Sequence, residues 1–202
     1  MSAHVVVTGE AFAFTPENDA WAKKQIAKYP EGRQASAVMP LLWRAQQQRG
    51  GWLSKEAIEY VADYLGMPYV RVLEVASFYT MYNLKPVGRH LVEVCTTTPC
   101  WLRGSDEVVK ACKHSLGIGF NETTADGSFT LLEVECAGAC VNAPVMAVDN
   151  WYYEDLNFER TTAVLDAFKK GETPKPGPQV NRVSSAPEGG ATTLTEMAKG
   201  DA

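Results

Sequence analysis

The sequence predicts an α/β chain in three parts: an N-terminal helical bundle, a domain that mixes strands and helices, and an extended C-terminal tail. Three observations predict it. Between Thr15 and Tyr79 the apolar residues recur at helical spacing. From His90 to Lys170 short β-rich runs alternate with helical stretches in the order β-α-β-β-β-α. Beyond Gly171 the composition turns to Pro, Gly, Ser and Thr, which cannot bury enough apolar surface to fold alone. The expected divisions are an arm over 1–14, the bundle over 15–87, the α/β domain over 88–170 and the tail over 171–202.

The bundle starts where Thr15-Pro16-Glu17 offers a capping hydroxyl, a proline suited to the first turn and an acid for the helix dipole. Trp21, Ala22, Ile26 and Tyr29 follow at helical spacing, and Pro30-Glu-Gly32 stops the element. A second helix is expected over Gln34–Arg49, with Val38, Leu41, Leu42 and Ala45 on one face, Pro40 tolerable near its start, and Gly50-Gly51 at its end. Ser54 caps a third, which groups Ala57, Ile58, Val61 and Leu65 before Gly66. Pro68 opens a fourth, with Val72, Leu73, Ala76 and Tyr79 inward.

Lys85-Pro-Val-Gly88 reads as a hinge. Strands are expected over His90–Cys95, Thr130–Glu135, Val145–Val148 and Trp151–Glu154, with helices over Ser105–Leu116 and Phe158–Lys170. Asp149-Asn150 is a tight-turn pair, so the last two strands form a hairpin. This order resembles the thioredoxin-like plan.

Composition narrows the function. The 202 residues are 46% hydrophobic with a formal net charge of -5, which disfavours a general nucleic-acid binder. No apolar run approaches the roughly 20 residues of a membrane span, and Ala3-His-Val-Val-Val7 is short for a signal-peptide core, so the expected setting is intracellular. Gly117-Ile-Gly119 lacks the third glycine of a dinucleotide loop and follows a helix, so this chain is not expected to bind NADH itself. His4, His90 and His114 are scattered, with no constellation for acid–base work.

The cysteines carry the chemistry. Cys95 and Cys100 stand in CTTTPC and Cys136 and Cys140 in CAGAC, each pair at the point where a strand delivers a turn. Two cysteines a few residues apart can face one metal centre, and four thiolates select zinc or iron–sulfur. The spacings allow zinc. The loops lean to iron–sulfur, because Thr96, Thr97 and Thr98 supply donors beside Cys95 and Ala137-Gly-Ala139 lets backbone N–H groups approach sulfur. Glu93, Glu133 and Glu135 lower a cluster's potential if they lie near it. A zinc knot, or thiols with no common centre, stand as the alternatives. A disulfide exchanger normally separates its cysteines by two residues, which neither pair does. Cys112 follows Val108 and Val109 at helical spacing and reads as a buried core thiol.

Taken together, Ser77-Phe-Tyr-Thr-Met-Tyr-Asn83, Lys85-Pro-Val-Gly88, Val94-Cys-Thr-Thr-Thr-Pro-Cys100, Glu133-Val-Glu-Cys-Ala-Gly-Ala-Cys-Val-Asn-Ala-Pro144 and Tyr152-Tyr-Glu-Asp-Leu156 resemble the small [2Fe-2S] subunit of NADH:quinone oxidoreductase, respiratory complex I. The resemblance runs from about Thr15 into the tail. It implies one [2Fe-2S] cluster held by Cys95, Cys100, Cys136 and Cys140, on a thioredoxin-like domain behind a helical bundle. It also implies partners: a flavoprotein subunit that binds FMN and NADH, and the adjacent large iron–sulfur subunit. The chain is then an electron-transfer subunit, not an enzyme on its own. The family pattern has a larger apolar residue where Ala137 stands.

The related subunit of an NAD-linked hydrogenase or formate dehydrogenase is a rival that the cysteine loops do not separate. A metal-switched DNA reader is a second class of function. Its recognition helix, Pro68–Tyr79, offers only Arg71, set against Glu74. A cis bond is expected between Ala143 and Pro144, where thioredoxin-like folds carry one. Trp101 borders the first loop as a shield, a partner contact or plain packing. The tail is expected to order along a neighbouring subunit. Without an Arg-rich, Ser-rich presequence, the expected location is peripheral, at the cytoplasmic face of a bacterial inner membrane, or on the matrix side for a processed mitochondrial chain.

Overall fold

The computed structural model describes residues 5–187, 189–190 and 192–194, and the chain divides into two compact units between Arg89 and His90. In the first unit Thr15 caps helix α1 (Pro16–Ile26), its side chain accepting from the Asn18 N–H. A 3₁₀ turn, Gln34–Ala37, leads into α2 (Val38–Gln48). The expected single helix is thus split: Pro40 falls in the first turn of α2, where its missing N–H is harmless. Ser54 caps α3 (Lys55–Leu65), and Gly66, at φ +62°, closes it in the left-handed conformation that a Cβ disfavours. The fourth helix, α4 (Tyr69–Phe78), has Pro68 as its cap residue.

Leu41, Leu42, Leu53, Ile58, Val61 and Val72 are fully buried where α2, α3 and α4 meet. Tyr79 departs from expectation. The helix ends at Phe78 and Tyr79 turns extended, which leaves its ring 41% exposed.

The arm is more ordered than its sequence foretells. Phe12 and Phe14 stack edge-on against Tyr60, and Phe14 also against Tyr64. Glu56 accepts from the N–H groups of Thr8 and Gly9 at 2.9 and 2.8 Å and from the Thr8 hydroxyl at 3.0 Å. Partial burial pushes this carboxyl up, but the hydrogen bonds from its own N–H, Gly9, Ser54 and Thr8 outweigh that and hold it down at about 2. A depressed folded pKa stabilises above the unfolded value and loses that effect as pH falls toward the folded one. Glu56→Gln therefore costs about 1 kcal/mol near neutrality, discounted for partial exposure. Thermal unfolding of metal-free protein should show the two chains converging as pH falls from about 5 to about 2.

The second unit is a six-stranded mixed sheet with two long helices. Strand β1 (His90–Cys95) is followed by a five-residue helix, α5 (Thr98–Leu102), and by α6 (Ser105–Leu116). Then come β2 (Glu122–Thr123), β3 (Phe129–Val134), β4 (Met146–Val148), β5 (Trp151–Glu154), α7 (Phe158–Lys169) and β6 (Gly177–Pro178). The sheet order is β2-β3-β1-β4-β5-β6. β1 runs parallel to β3, with α6 in the crossover between them, and antiparallel to β4. Val92, Val94, Leu131, Met146 and Tyr153 on the sheet pack with Val108, Cys112, Val164 and Leu165 of the two helices, so one face carries the core. The β4–β5 hairpin turns on Asp149 and Asn150, at φ 52° and 75°, the two positive values a tight two-residue turn requires. Asp149 also accepts from the Leu91 N–H at 3.0 Å and lies 2.5 Å from His90 Nδ1, tying the turn to β1.

The tail finds partners within this chain. Its described part lies on its own domain: β6 pairs parallel with β5, the Tyr153 hydroxyl donates to Pro174 O at 3.2 Å, and Gln179 N–H donates to Glu154 O at 3.0 Å. The open edge of β5 supplies partners that composition does not reveal. Residues 188, 191 and 195–202 lie outside the described part. Among the described residues no helix is long and apolar enough to cross a membrane.

Candidate metal centre

The two cysteine loops arrive at the same end of the sheet because β1 and β3 are parallel neighbours, with Cys95 opposite Val134. Cys95 closes β1 and its N–H donates to Val145 O at 3.2 Å. The chain then turns through Thr96 and Thr97 into α5, with Pro99 in the first turn and Cys100 one residue later. Cys136 and Cys140 flank the loop after β3. There Gly138, at φ +78°, makes a turn that a Cβ would strain. The bond from Ala143 to Pro144 is cis, as expected.

All five cysteines are free thiols. Cys95 and Cys100 are buried with Ala143 and Val145, whereas Cys136 and Cys140 are exposed, their sulfurs 3.3 Å apart. Contacts cross between the pairs. Ala137 and Ala139 of the second loop pack against the cluster of Cys95, Cys100, Ala143 and Val145, and each loop lowers a thiol of the other, Ala137 that of Cys95 and Thr97 that of Cys136. Thr97 Oγ1 is also 3.4 Å from Cys95 Sγ, and the Val145 N–H serves Cys100.

These contacts set the proton preferences. Burial pushes the Cys95 thiol up, but Thr97 and the Ala137 N–H outweigh it and hold the group below the usual range. Burial and the hydrogen bond to Cys95 push Cys100 up to about 12. The Gly138 N–H lowers Cys136, and the hydrogen bond to Cys136 raises Cys140. Each pair holds one sulfur that favours the thiolate and one that resists, as like charges at close range must.

A positive metal core relieves that conflict, so the donor set fits one. Among the described residues no three His, Cys, Asp or Glu side chains are arranged around a single ion. Two sulfur pairs bridged by N–H and hydroxyl donors match a two-iron centre, in which four thiolates are shared and sulfurs accept hydrogen bonds.

Around the thiols the surface is apolar. Trp101 and Leu102, next to Cys100, are 56% and 72% exposed, and Val141, next to Cys140, is 67% exposed. The acids fall differently. Glu133 accepts from the Thr96 hydroxyl at 2.7 Å, Glu135 is exposed beside Cys136, and burial raises Glu93.

Three residues brace the second loop in a way that sequence reasoning misses. The Tyr152 hydroxyl donates to Ala137 O at 2.7 Å, Asn142 is buried, and Arg182 reaches back from the tail to Asn142. Tyr152 and Asn142 lie within the family-like motifs, which mark their positions but not these contacts. Arg182 carries no signal of periodicity or charge clustering.

Cys112 stands apart, fully buried on α6 with its thiol donating to Met146 Sδ at 3.6 Å, and burial raises it to about 12. Cys112→Ala should therefore cost about 1–2 kcal/mol in packing and leave the iron content unchanged, as unfolding and metal assays will read.

Comparison with known proteins places this arrangement. The family model described as thioredoxin-like [2Fe-2S] ferredoxin matches residues 22–169. An E component of NADH-quinone oxidoreductase from Rhizobium meliloti (strain 1021) is 52% identical over 195 residues, covering 95% of this chain and 70% of that protein. The E component of NADH-quinone oxidoreductase from Rickettsia bellii (strain RML369-C) is 55% identical over 158 residues, 78% of this chain and 95% of that one. A crystal structure of an NAD+-reducing [NiFe]-hydrogenase in the H2-reduced state shares the fold at TM-score 0.56 and 20% identity, over 64% of this chain and 22% of that one. The chain belongs to the thioredoxin-like [2Fe-2S] ferredoxin family and is a homologue of the E component of NADH-quinone oxidoreductase.

Proposed function

We propose that this chain is the electron-transfer subunit of an NADH-quinone oxidoreductase, with Cys95, Cys100, Cys136 and Cys140 holding one [2Fe-2S] cluster next to a partner subunit that binds FMN and NADH. The observation that carries it is the packing of Ala137 and Ala139, which lie between Cys136 and Cys140, against buried Cys95 and Cys100. When bound, a [2Fe-2S] cluster takes up and returns a single electron, which suits it to sit beside a flavin that receives two from hydride. The chain's own residues hold and insulate. The N–H groups of Ala137, Gly138 and Val145 direct positive dipoles at the sulfurs, which favours the thiolate form without a titrating base.

The buried pair, Cys95 and Cys100, closes the inner side of the site against water, and the exposed pair faces outward. Trp101, Leu102 and Val141 form an apolar rim on that side, of the kind that an interface core desolvates. That rim is where the flavoprotein subunit docks, with the large iron–sulfur subunit as a further neighbour. The work is then done at the cytoplasmic face of the membrane. Relatives at 52% and 55% identity favour this reading over a hydrogenase or formate dehydrogenase partner. A DNA-reading role draws no support, since Arg71 is paired with Glu74 at 2.8 Å.

Co-expression tests the assignment. The chain and the FMN-bearing subunit should co-purify with flavin on the partner, and this chain alone should retain neither FMN nor NADH. Binding of either by this chain alone would contradict the proposal.

A further inference from the structure

The tail makes one contact that its composition hides. After β6 the chain turns inward at Arg182, whose side chain and that of Asp155 are each only 9% exposed. Arg182 Nε donates to Asp155 Oδ2 at 2.9 Å and Nη2 to Oδ1 at 2.7 Å, a two-pronged pairing of the strong kind. The same Nη2 donates to Asn142 Oδ1 at 2.7 Å and lies 3.4 Å from Val141 O. Val141 and Asn142 are the two residues that follow Cys140.

Asn142 is 3% exposed and held from further sides. Its Nδ2 donates to Ser184 O at 3.2 Å and to the Glu154 carboxylate, and its carbonyl accepts from the Asp155 N–H at 2.8 Å. Upstream, the loop is held by hydrogen bonds from Asn142 N–H to Ala139 O at 3.0 Å and from Ala143 N–H to Cys140 O at 3.2 Å, and by the Tyr152 hydroxyl on Ala137. Cys140 itself is exposed, with the equally exposed Cys136 sulfur 3.3 Å from its own.

We infer that Arg182 is a positioning residue for the metal centre, the buckle of a C-terminal strap that fixes the Cys140 loop in the conformation that binds the cluster. The inference rests on the ligand assignment above. Its physical basis is the cost of the alternative: without Arg182, Asp155 is a carboxylate in a dry site without its cation, and two acceptors of the ligand loop lose their donor. The loop then samples other conformations, and the Cys140 sulfur follows it. Arg182 also brings a positive charge to the site, so its loss leaves Asp155 and Glu154 uncompensated and moves the potential down.

The test uses the full chain loaded anaerobically. Iron loss to a ferrous chelator and the midpoint potential are read for wild type, Arg182→Ala and Arg182→Lys, with circular dichroism to establish that each is folded. Arg182→Ala should lose iron about tenfold faster or more, the usual effect of removing an outer partner of a metal ligand, and shift to lower potential. Arg182→Lys keeps the charge but not the fork, so it should restore the potential more fully than the rate. If Arg182→Ala does not fold, Asp155→Asn, which keeps one acceptor for Arg182, is read instead: it should also lose iron faster, but shift the potential up, because it removes a negative charge. A folded variant with wild-type rate and potential overturns the strap. A wild-type chain that takes up no iron and sulfide overturns the ligand assignment instead, so the two failures are distinct.

Discussion

Serine at both Cys136 and Cys140 should leave a chain that folds and holds no iron. Both thiols are exposed, on a loop whose backbone is carried by Gly138, Tyr152 and Asn142, so exchanging sulfur for oxygen removes no packing. The fold should lose less than about 1 kcal/mol in the metal-free state. The centre loses everything, because an alcohol is neither soft nor readily ionised and two thiolates cannot complete a four-sulfur set. Alanine at Cys95 and Cys100 should abolish loading too, and by a different route. These side chains are buried with Ala143 and Val145, so their loss opens a hole at the end of β1 and lowers stability by about 2 kcal/mol or more as well. Iron analysis together with unfolding curves separates the two cases.

Leu131→Ala should give a large loss of stability in the second unit. Leu131 is fully buried on β3 beside Val92 of β1, in the cluster that also holds Met146, Val148 and Tyr153. Truncation removes its transfer free energy and leaves a cavity among rigid strands, a cost of about 2–5 kcal/mol. For a chain of this size that lowers the melting temperature on the order of 10 °C. Leu132, next along the strand and on the opposite face, is half-buried, and its alanine variant should cost about 1 kcal/mol. Calorimetry of both variants checks the ratio. Equal losses would mean that the core does not lie on the face assigned to it.

What sequence made legible follows from how far each signal reaches along the chain. The strands His90–Cys95 and Trp151–Glu154 and the helix Ser105–Leu116 fell where expected because their patterns are complete within a few residues. The two cysteine pairs were legible as a candidate site because close thiols show as spacing. The hairpin at Asp149-Asn150 was visible because few residues tolerate two positive φ values in succession. The Thr98–Leu102 helix was missed, since five residues are too few to show a period. The two-residue strands Glu122–Thr123 and Gly177–Pro178 owe their existence to the neighbours they pair with.

Arg182 is the sharpest case. In sequence it is one cation in a polar tail, and its meaning comes from Asp155 and Asn142, 27 and 40 residues away. The contacts of the arm are hidden in the sequence for the same reason. Its order rests on Glu56 and on rings contributed by α3.

Chemical analysis of the protein purified without oxygen tests the central claim most directly. Iron, acid-labile sulfide and zinc are counted per chain, and the paramagnetic spectrum is recorded before and after dithionite. The two thiol pairs call for about two irons and two sulfides, with a one-electron signal that appears on reduction. A single zinc without sulfide or colour would contradict them.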